Sequence, residues 1–467
     1  MVSGESVPNP NDATRIESDS MGEVRIPRDA LYGPQTQRAV ENFPISGQSM
    51  PEQFVRALLA IKAAAAHANG ELKCLDAEAA AVIEVAVGRL LADEALMAHF
   101  PVDVYQTGSG TSSNMNANAV IARSAELASG IEIHPNDHVN YGQSSNDVIP
   151  SAIHVSAVLV GTGQLLPALE QLMAVIDKKA ESLRSVTKTG RTHLMDAMPV
   201  RFDQSLHSWL AQLEDCHRRI TEALDDLRCL AIGGTAVGTG VNTHRDFGVR
   251  LTAALSRATG QRFTAAESPF HLMSSQDGVV ALSGQLRVLA VALTKVANDL
   301  RWMNSGPLAG MGEIALPSLQ PGSSIMPGKV NPVIPEAAAM VCARIIGNDV
   351  TITMAGQSGN FELNVMLPVI AQVSLESMEL LSGAMRTLAS KAVAGFTVNT
   401  PRVAESLSRN PILVTALNPI IGYGKAASIA KKAYESGRPI IDVAEEETGM
   451  ARSELEKLLD PQRLTGG

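Results

Sequence analysis

A chain of 467 residues that is 45% hydrophobic and 18% charged can bury a large core in two or three domains and is too apolar for disorder. Its formal net charge of -10 repels nucleic-acid phosphates and anionic lipid, so neither is expected as a partner, and an anionic substrate must meet a locally positive pocket. Cys74, Cys216, Cys229 and Cys342 form no C-x-x-C pair and no zinc spacing; buried free thiols in a reducing cytoplasm are expected, with no metal, iron–sulfur cluster or other cofactor.

In chain order, the polar stretch from Met1 to Ile16 lacks the apolar run of a secretory signal. The longest segment free of Asp, Glu, Lys and Arg, Val148 to Leu169, contains Pro150, His154 and Pro167; it suits a helix pair of a soluble protein, not a membrane span. Leu206, Leu210, Leu213, His217, Ile220, Leu224 and Leu227 recur at alternating spacings of four and three, as do Val279, Leu282, Leu286, Leu289, Leu293, Val296 and Leu300. That period predicts two long bundle helices of roughly 40 Å each. A third such stretch runs from Glu362 to Ala392. The pattern predicts a mainly α protein of three parts: 1–142 with short helices and loops, 143–397 with the long bundle, and 398–467, a small helical part after Val398-Asn399-Thr400-Pro401. Val280, Val288, Ala290, Val291 and Ala292 make the second long helix apolar beyond its seam, which predicts packing of bundle against bundle in a symmetric homo-oligomer.

Three segments interrupt the apolar pattern with small polar residues: Thr107 to Asn116; Gln143 to Asp147, followed later by Gly190-Arg191-Thr192-His193; and Pro321 to Pro332. Hydroxyls, amides and glycine-exposed backbone N–H groups are what holds carboxylates. Any one such cluster could be a turn or helix cap. The third, with three small polar side chains, two Gly, two Pro and Lys329 between Gly322 and Pro332, reads as a lid closing on an anion. Gly233 to Gly240 lies between helices and is read as a helix-breaking loop, not a dinucleotide site.

Gly322-Ser-Ser-Ile-Met-Pro-Gly-Lys-Val-Asn-Pro332 resembles the signature of the fumarase/aspartase superfamily. The resemblance spans nearly the whole chain, through Asp19 to Val24, Leu31 to Gln37, Gln106 to Asn116, His134 to Asp137, Gln143 to Asp147, Gly190 to Leu194, Gly359 to Val365 and Asn418 to Tyr423. Met326 before Pro327-Gly328-Lys329, and Ser145 between Ser144 and Asn146, favour the fumarase branch over aspartase. Departures from that branch include Ala119, His138, Tyr141 and Ile131-Glu132-Ile133.

The resemblance implies the three-domain superfamily fold, a tetrameric helical core, and reversible hydration of fumarate to (S)-malate through an aci-carboxylate intermediate. Aspartate ammonia-lyase chemistry and a catalytically silent relative are the alternatives. It implies Ser323 as general base, with His193 and its orienting Glu336 handling the leaving water. Ser109, Gly110, Thr111, Ser144, Ser145, Asn146, Thr192, Ser324, Lys329, Val330 and Asn331 then bind the dicarboxylate. His134, Pro135, Asn136 and Asp137 correspond to a second dicarboxylate site. Each active site is expected to draw on three subunits, with the first loop, the second loop together with His193, and the lid coming from different chains.

Overall fold

The computed structural model describes residues 14–466, so most of the polar N-terminal stretch read above lies outside the described residues. The chain opens with an antiparallel hairpin, β1 (Thr14–Asp19) and β2 (Gly22–Pro27). Helices α1 (Pro34–Asn42), α2 (Glu52–Glu71), α3 (Ala77–Ala92) and α4 (Thr111–Ser129) follow. Their ends are written in the sequence. The Asp76 carboxylate caps α3 by accepting from the Glu78 and Ala79 N–H groups, and Gly130, at φ 74°, ends α4 in the left-handed conformation that favours glycine.

Helix α5 (Ser145–Val160) starts from a capping box, in which Ser144 and Asp147 each hold the other's backbone N–H. It passes through a wide turn, Gly161–Leu165, into α6 (Leu166–Ser182), a run of 38 residues. A second antiparallel hairpin, β3 (Thr187–Thr192) and β4 (Met195–Arg201), leads into α7 (Phe202–Asp226). Helices α8 (Phe247–Thr259) and α9 (Phe270–Ser274) precede the long α10 (Asp277–Met303), α11 (Val333–Gly356) and α12 (Leu367–Leu388).

The chain divides into two compact units. One comprises Met1–Leu166, Arg219–Arg287 and Arg344–Leu380; the other comprises Pro167–Arg218, Val288–Ala343 and Leu381–Gly467. In the first unit, α2 packs on α3, α5 and α8, and α4 packs on α1, α3 and α5. Helices approach there through small residues: a Cβ on Gly161 would lie 2.6 Å from Leu224, and one on Gly356 would lie 2.6 Å from Val280. The second unit contains the β3–β4 hairpin and a C-terminal cluster of short helices around Leu417, Val443, Ala444 and Leu455.

The α10 seam is buried as the sequence predicts: Val279, Leu282, Leu286, Leu289, Leu293, Val296 and Leu300 are all at most 1% exposed. In α7 the stripe differs in part. Leu206, Leu213, Ile220, Leu224 and, just past its end, Leu227 are buried as predicted, with Trp209, Cys216 and Ala223 buried beside them, while Leu210 and His217 are only half-buried. A straight helix turns every 3.6 residues, so a 3.5-residue stripe drifts by about 20° per heptad. His217 therefore reaches outward to Glu170, at 3.0 Å. No disulfide joins the four cysteines; Cys216 and Cys342 are buried, whereas Cys74 and Cys229 are half-buried, contrary to the expectation of four buried thiols.

Three helices, Ser145–Ser182, Asp277–Met303 and Val333–Gly356, could cross a bilayer by length and composition alone. The first has 72% of its apolar window inside the protein, and it buries Asp147, Ser151, His154 and Ser156, a polar load that lipid would not accept. Helix α11 buries Ala338, Cys342, Ile345, Ile352 and Ala355. Its other side leaves Met340, Ile346, Val350 and Met354 exposed.

Leu289→Ala should lower unfolding stability by about 2–5 kcal/mol, because it empties a fully buried site in α10. Denaturant unfolding at fixed protein concentration measures it; a change below about 1 kcal/mol would mean that the seam is not packed as described.

Candidate active site

The first polar loop opens α4. Gly110 sits at φ 71°, and a Cβ there would press on Ile149 at 2.8 Å. At Gly108 a Cβ would lie 1.9 Å from the Val365 carbonyl oxygen. The Gly108 carbonyl in turn accepts the Leu367 N–H, at 3.0 Å, so glycine lets the loop lie directly on the Gly359–Val365 segment. Ser109 and Thr111 hydroxyls lie 2.8 Å apart. Gln106 holds the other flank, its Oε1 accepting from both the N–H and the hydroxyl of Ser113.

The second loop opens α5, beside the first. Asn114 Nδ2 donates to Ser145 Oγ at 3.1 Å, and Asn146 Nδ2 donates to the Ala236 carbonyl at 2.8 Å. The two loops are thus joined within one chain.

Behind them lie two buried ionisable groups that the sequence did not single out. Asp147 accepts the N–H groups of Ser144, Gly233 and Thr235. Burial raises its pKa; those three donors and the charge of Lys62 oppose the rise. Lys62, on α2, donates to Asn140 Oδ1 at 2.8 Å and Gln143 Oε1 at 3.0 Å. Burial pushes its ammonium down to about 7, against the pull of Asp147. The available signal was a lone lysine in the alanine-rich, otherwise apolar run Ile61 to Ala66.

In the other unit, Thr192 ends β3, and His193 and Leu194 form the tip of the hairpin with φ of 55° and 62°. Two consecutive left-handed residues make the tight turn that matches strand twist, here without glycine. The hairpin is tied down at its base. Glu313, 3% exposed, accepts from Lys188 at 2.9 Å and from Arg191 at 2.8 Å. His193 itself is exposed. It shares a cavity of about 530 Å³ with Arg191, Trp209, Asp299 and Trp302.

The lid stands in the same unit. Its neck is closed by three contacts: Gly322 N–H to the Lys329 carbonyl at 2.9 Å, Asn331 Nδ2 to the Gly322 carbonyl at 2.8 Å, and Lys329 N–H to the Met326 carbonyl at 3.3 Å. A Cβ on Gly322 would lie 2.4 Å from that Lys329 oxygen. Ser323 Oγ accepts the N–H groups of Ile325 at 3.3 Å and Met326 at 3.1 Å. These bonds fold the turn, and they are also the dipoles that an alkoxide at Oγ needs. Ser324, Lys329 and Val330 are exposed. Lys329, Val330, Asn331 and Glu336 line a cavity of about 660 Å³, with Glu336 in the first turn of α11. His193 lines a different cavity, and no ion pair joins it to Glu336 among the described residues.

His134, Pro135 and Asn136 line a further cavity of about 360 Å³ beside β1 and α4. Asp137 pairs with His134, 3.0 Å from Nδ1. Of the two arginines lining it, Arg15 is taken up by Glu17 and by carbonyls of Pro27, Arg28, Ala30 and Tyr32. Arg123 pairs with Glu126 at 3.1 Å.

The family described as "Lyase" matches residues 22–347, and that described as "Fumarase C C-terminus" matches residues 413–466. "Fumarate hydratase class II 2" of Pseudomonas aeruginosa is 61% identical over 97% of this chain and 99% of its own. The class II enzyme of Xylella fastidiosa is 58% identical over 98% and 96%. The chain belongs to the class II fumarate hydratase family. The crystal structure of a class II fumarase from Schistosoma mansoni superposes with a TM-score of 0.93 at 35% identity, covering 97% of this chain and 99% of that one. The fumarase fold is thus shared along 97% of the chain.

Glu313→Gln should lower stability by about 3–5 kcal/mol, since it leaves buried Lys188 and half-buried Arg191 without their counter-charge. Denaturant unfolding checks this; parent-like stability would show that the two cations find other partners.

Proposed function

We infer that the chain is a hydro-lyase, fumarate hydratase, interconverting fumarate and (S)-malate. The observation that carries this is near-full-length identity of 58–61% to relatives of that name. A fold match to a class II fumarase supports it.

We propose the following roles. Ser323 takes the proton from the carbon next to one malate carboxylate. Its alkoxide is stabilised by the Ile325 and Met326 N–H groups and by the nearby charge of Lys329. The resulting aci-carboxylate carries the charge of two anions on one end of the substrate; Lys329, Asn331 and lid backbone donors receive it, each donor being worth about 3–4 kcal/mol of barrier. His193, oriented by Glu336, protonates the departing hydroxyl, and water leaves. Ser109, Gly110, Thr111, Ser144, Ser145, Asn146 and Thr192 hold the dicarboxylate in register, with Ser324 and Val330 completing the lid side.

The pieces point to shared sites in a homotetramer. The joined first and second loops belong to one unit, and the hairpin and lid to the other, where His193 and Glu336 line separate cavities. We propose that one subunit gives both loops, a second His193 and a third the lid. The exposed Met340, Ile346, Val350 and Met354 on α11 supply an apolar face for that assembly. A soluble, cytoplasmic enzyme is proposed, organised as 1–142, 143–397 and 398–467. The turn at His134–Asp137 is proposed as a second dicarboxylate site; with Arg123 paired to Glu126, its affinity should be below that of the catalytic site.

Purified protein given (S)-malate should produce fumarate, followed by its absorbance, and should release no ammonia from L-aspartate. Ser323→Ala should lose at least about 100-fold in kcat. Ammonia from aspartate without turnover of malate would make the chain an ammonia-lyase, and no turnover of either would make it a silent relative. Diluted, dissociated subunits should be inactive; an active monomer would overturn the shared site.

A further inference from the structure

A lysine with no exposed surface is an unfavourable way to fill the middle of a helix. Lys62 is 0% exposed, on an α2 face shared with buried Leu58, Leu59, Ala65, Ala66 and Asn69. A leucine or methionine there would pack without the desolvation that holds the ammonium down. Among the described residues no carboxylate hydrogen-bonds to it; its two hydrogen-bond partners are neutral amides. Those amides lead to the substrate-facing loops. Asn140 Oδ1 takes Lys62 at 2.8 Å and also Asn114 Nδ2 at 3.2 Å. Asn114, in the first turn of α4, passes the link to Ser145 Oγ at 3.1 Å. Gln143 directly precedes Ser144, and its Nε2 holds the Val139 carbonyl at 3.0 Å, fixing the turn that delivers the second loop. One buried cation thus touches the supports of both loops.

We propose that Lys62 is a positioning residue of the reaction, whose Nζ, through Asn140, Asn114 and Gln143, holds Ser109–Thr111 and Ser144–Asn146 in one register. The inference rests on the reading of those loops as the dicarboxylate site. It separates two quantities that a structural lysine would move together. Replacing Lys62 should relieve stability and yet damage catalysis.

The stability arm has a defined pH sense. The ammonium titrates near 7 in the folded protein against an ordinary 10.5. The destabilisation is therefore full below pH 7 and is relieved as pH rises toward 10.5. Asp147 is the charged group that acts on Lys62; it stays in place in the variants below.

The test uses full-length Lys62→Met, Asn114→Ala and the double variant, assayed with (S)-malate beside the parent. Lys62→Met should melt at or above the parent at pH 6.5, with the difference shrinking by pH 9. Its kcat/KM should fall about 100-fold, mostly in kcat, as for a substrate held out of register. The double variant should be within about threefold of the worse single one, because both act through one chain of contacts. Parent-like kcat/KM in Lys62→Met, or losses that multiply in the double variant, would overturn the inference. If Lys62→Met does not fold, Asn140→Leu, which cuts the link but keeps the lysine, should show the same fall in kcat; unchanged kcat there would overturn it equally. A parent that does not turn over malate would sink the functional reading itself, and this inference with it.

Discussion

The Asp147 carboxylate anchors the polar layer of this helical protein. It closes the capping box that starts α5, and it holds the backbone of Gly233 and Thr235, so the second loop and the helix-breaking loop are fixed by one group. A carboxylate so buried persists only when its lone pairs are met by donors, and three backbone N–H groups do that here. With Asp147 in place, Ser144, Ser145 and Asn146 are presented at a helix N-terminus, where the free N–H groups and the helix dipole favour an anion. The neighbouring loop inherits that order through Asn114 and Ser145.

The second unit solves the same problem by a different route. Glu313 gathers Lys188 and Arg191, and so pins the hairpin whose tip is His193. The lid depends less on side chains than on backbone: its neck is held by the Gly322 and Lys329 main chain and the Asn331 amide. A backbone-held turn bearing an exposed lysine can meet a substrate without first breaking an ion pair.

How far the sequence could be read depended on whether a feature is local. The α10 seam was legible because seven apolar residues repeat on one stripe, and all are buried. The α7 stripe was legible as a helix but not in its phase, since Trp209 and Cys216 displace Leu210 and His217 once the helix keeps its natural period. The three polar loops stood out by composition. What holds their neighbourhoods in place did not: Lys62 reaches Asn140 and Gln143 across 78 and 81 residues, and Lys188 reaches Glu313 across 125. Such pairings are set by packing, not by local sequence. The left-handed turn at His193 and Leu194 was equally invisible, because neither residue type signals that conformation.

The α11 face carrying Met340, Ile346, Val350 and Met354 also bears on the life of the chain before it meets a partner. A newly folded subunit offers this surface to whatever arrives first. Association with a sister chain is second order in concentration, and so is adhesion to a partly folded neighbour. For the proposed assembly, yield is therefore decided by a kinetic race: slow synthesis at low temperature, or chaperone cover of that helix, should favour the productive encounter over the aggregate, even where the final assembly is far the more stable of the two.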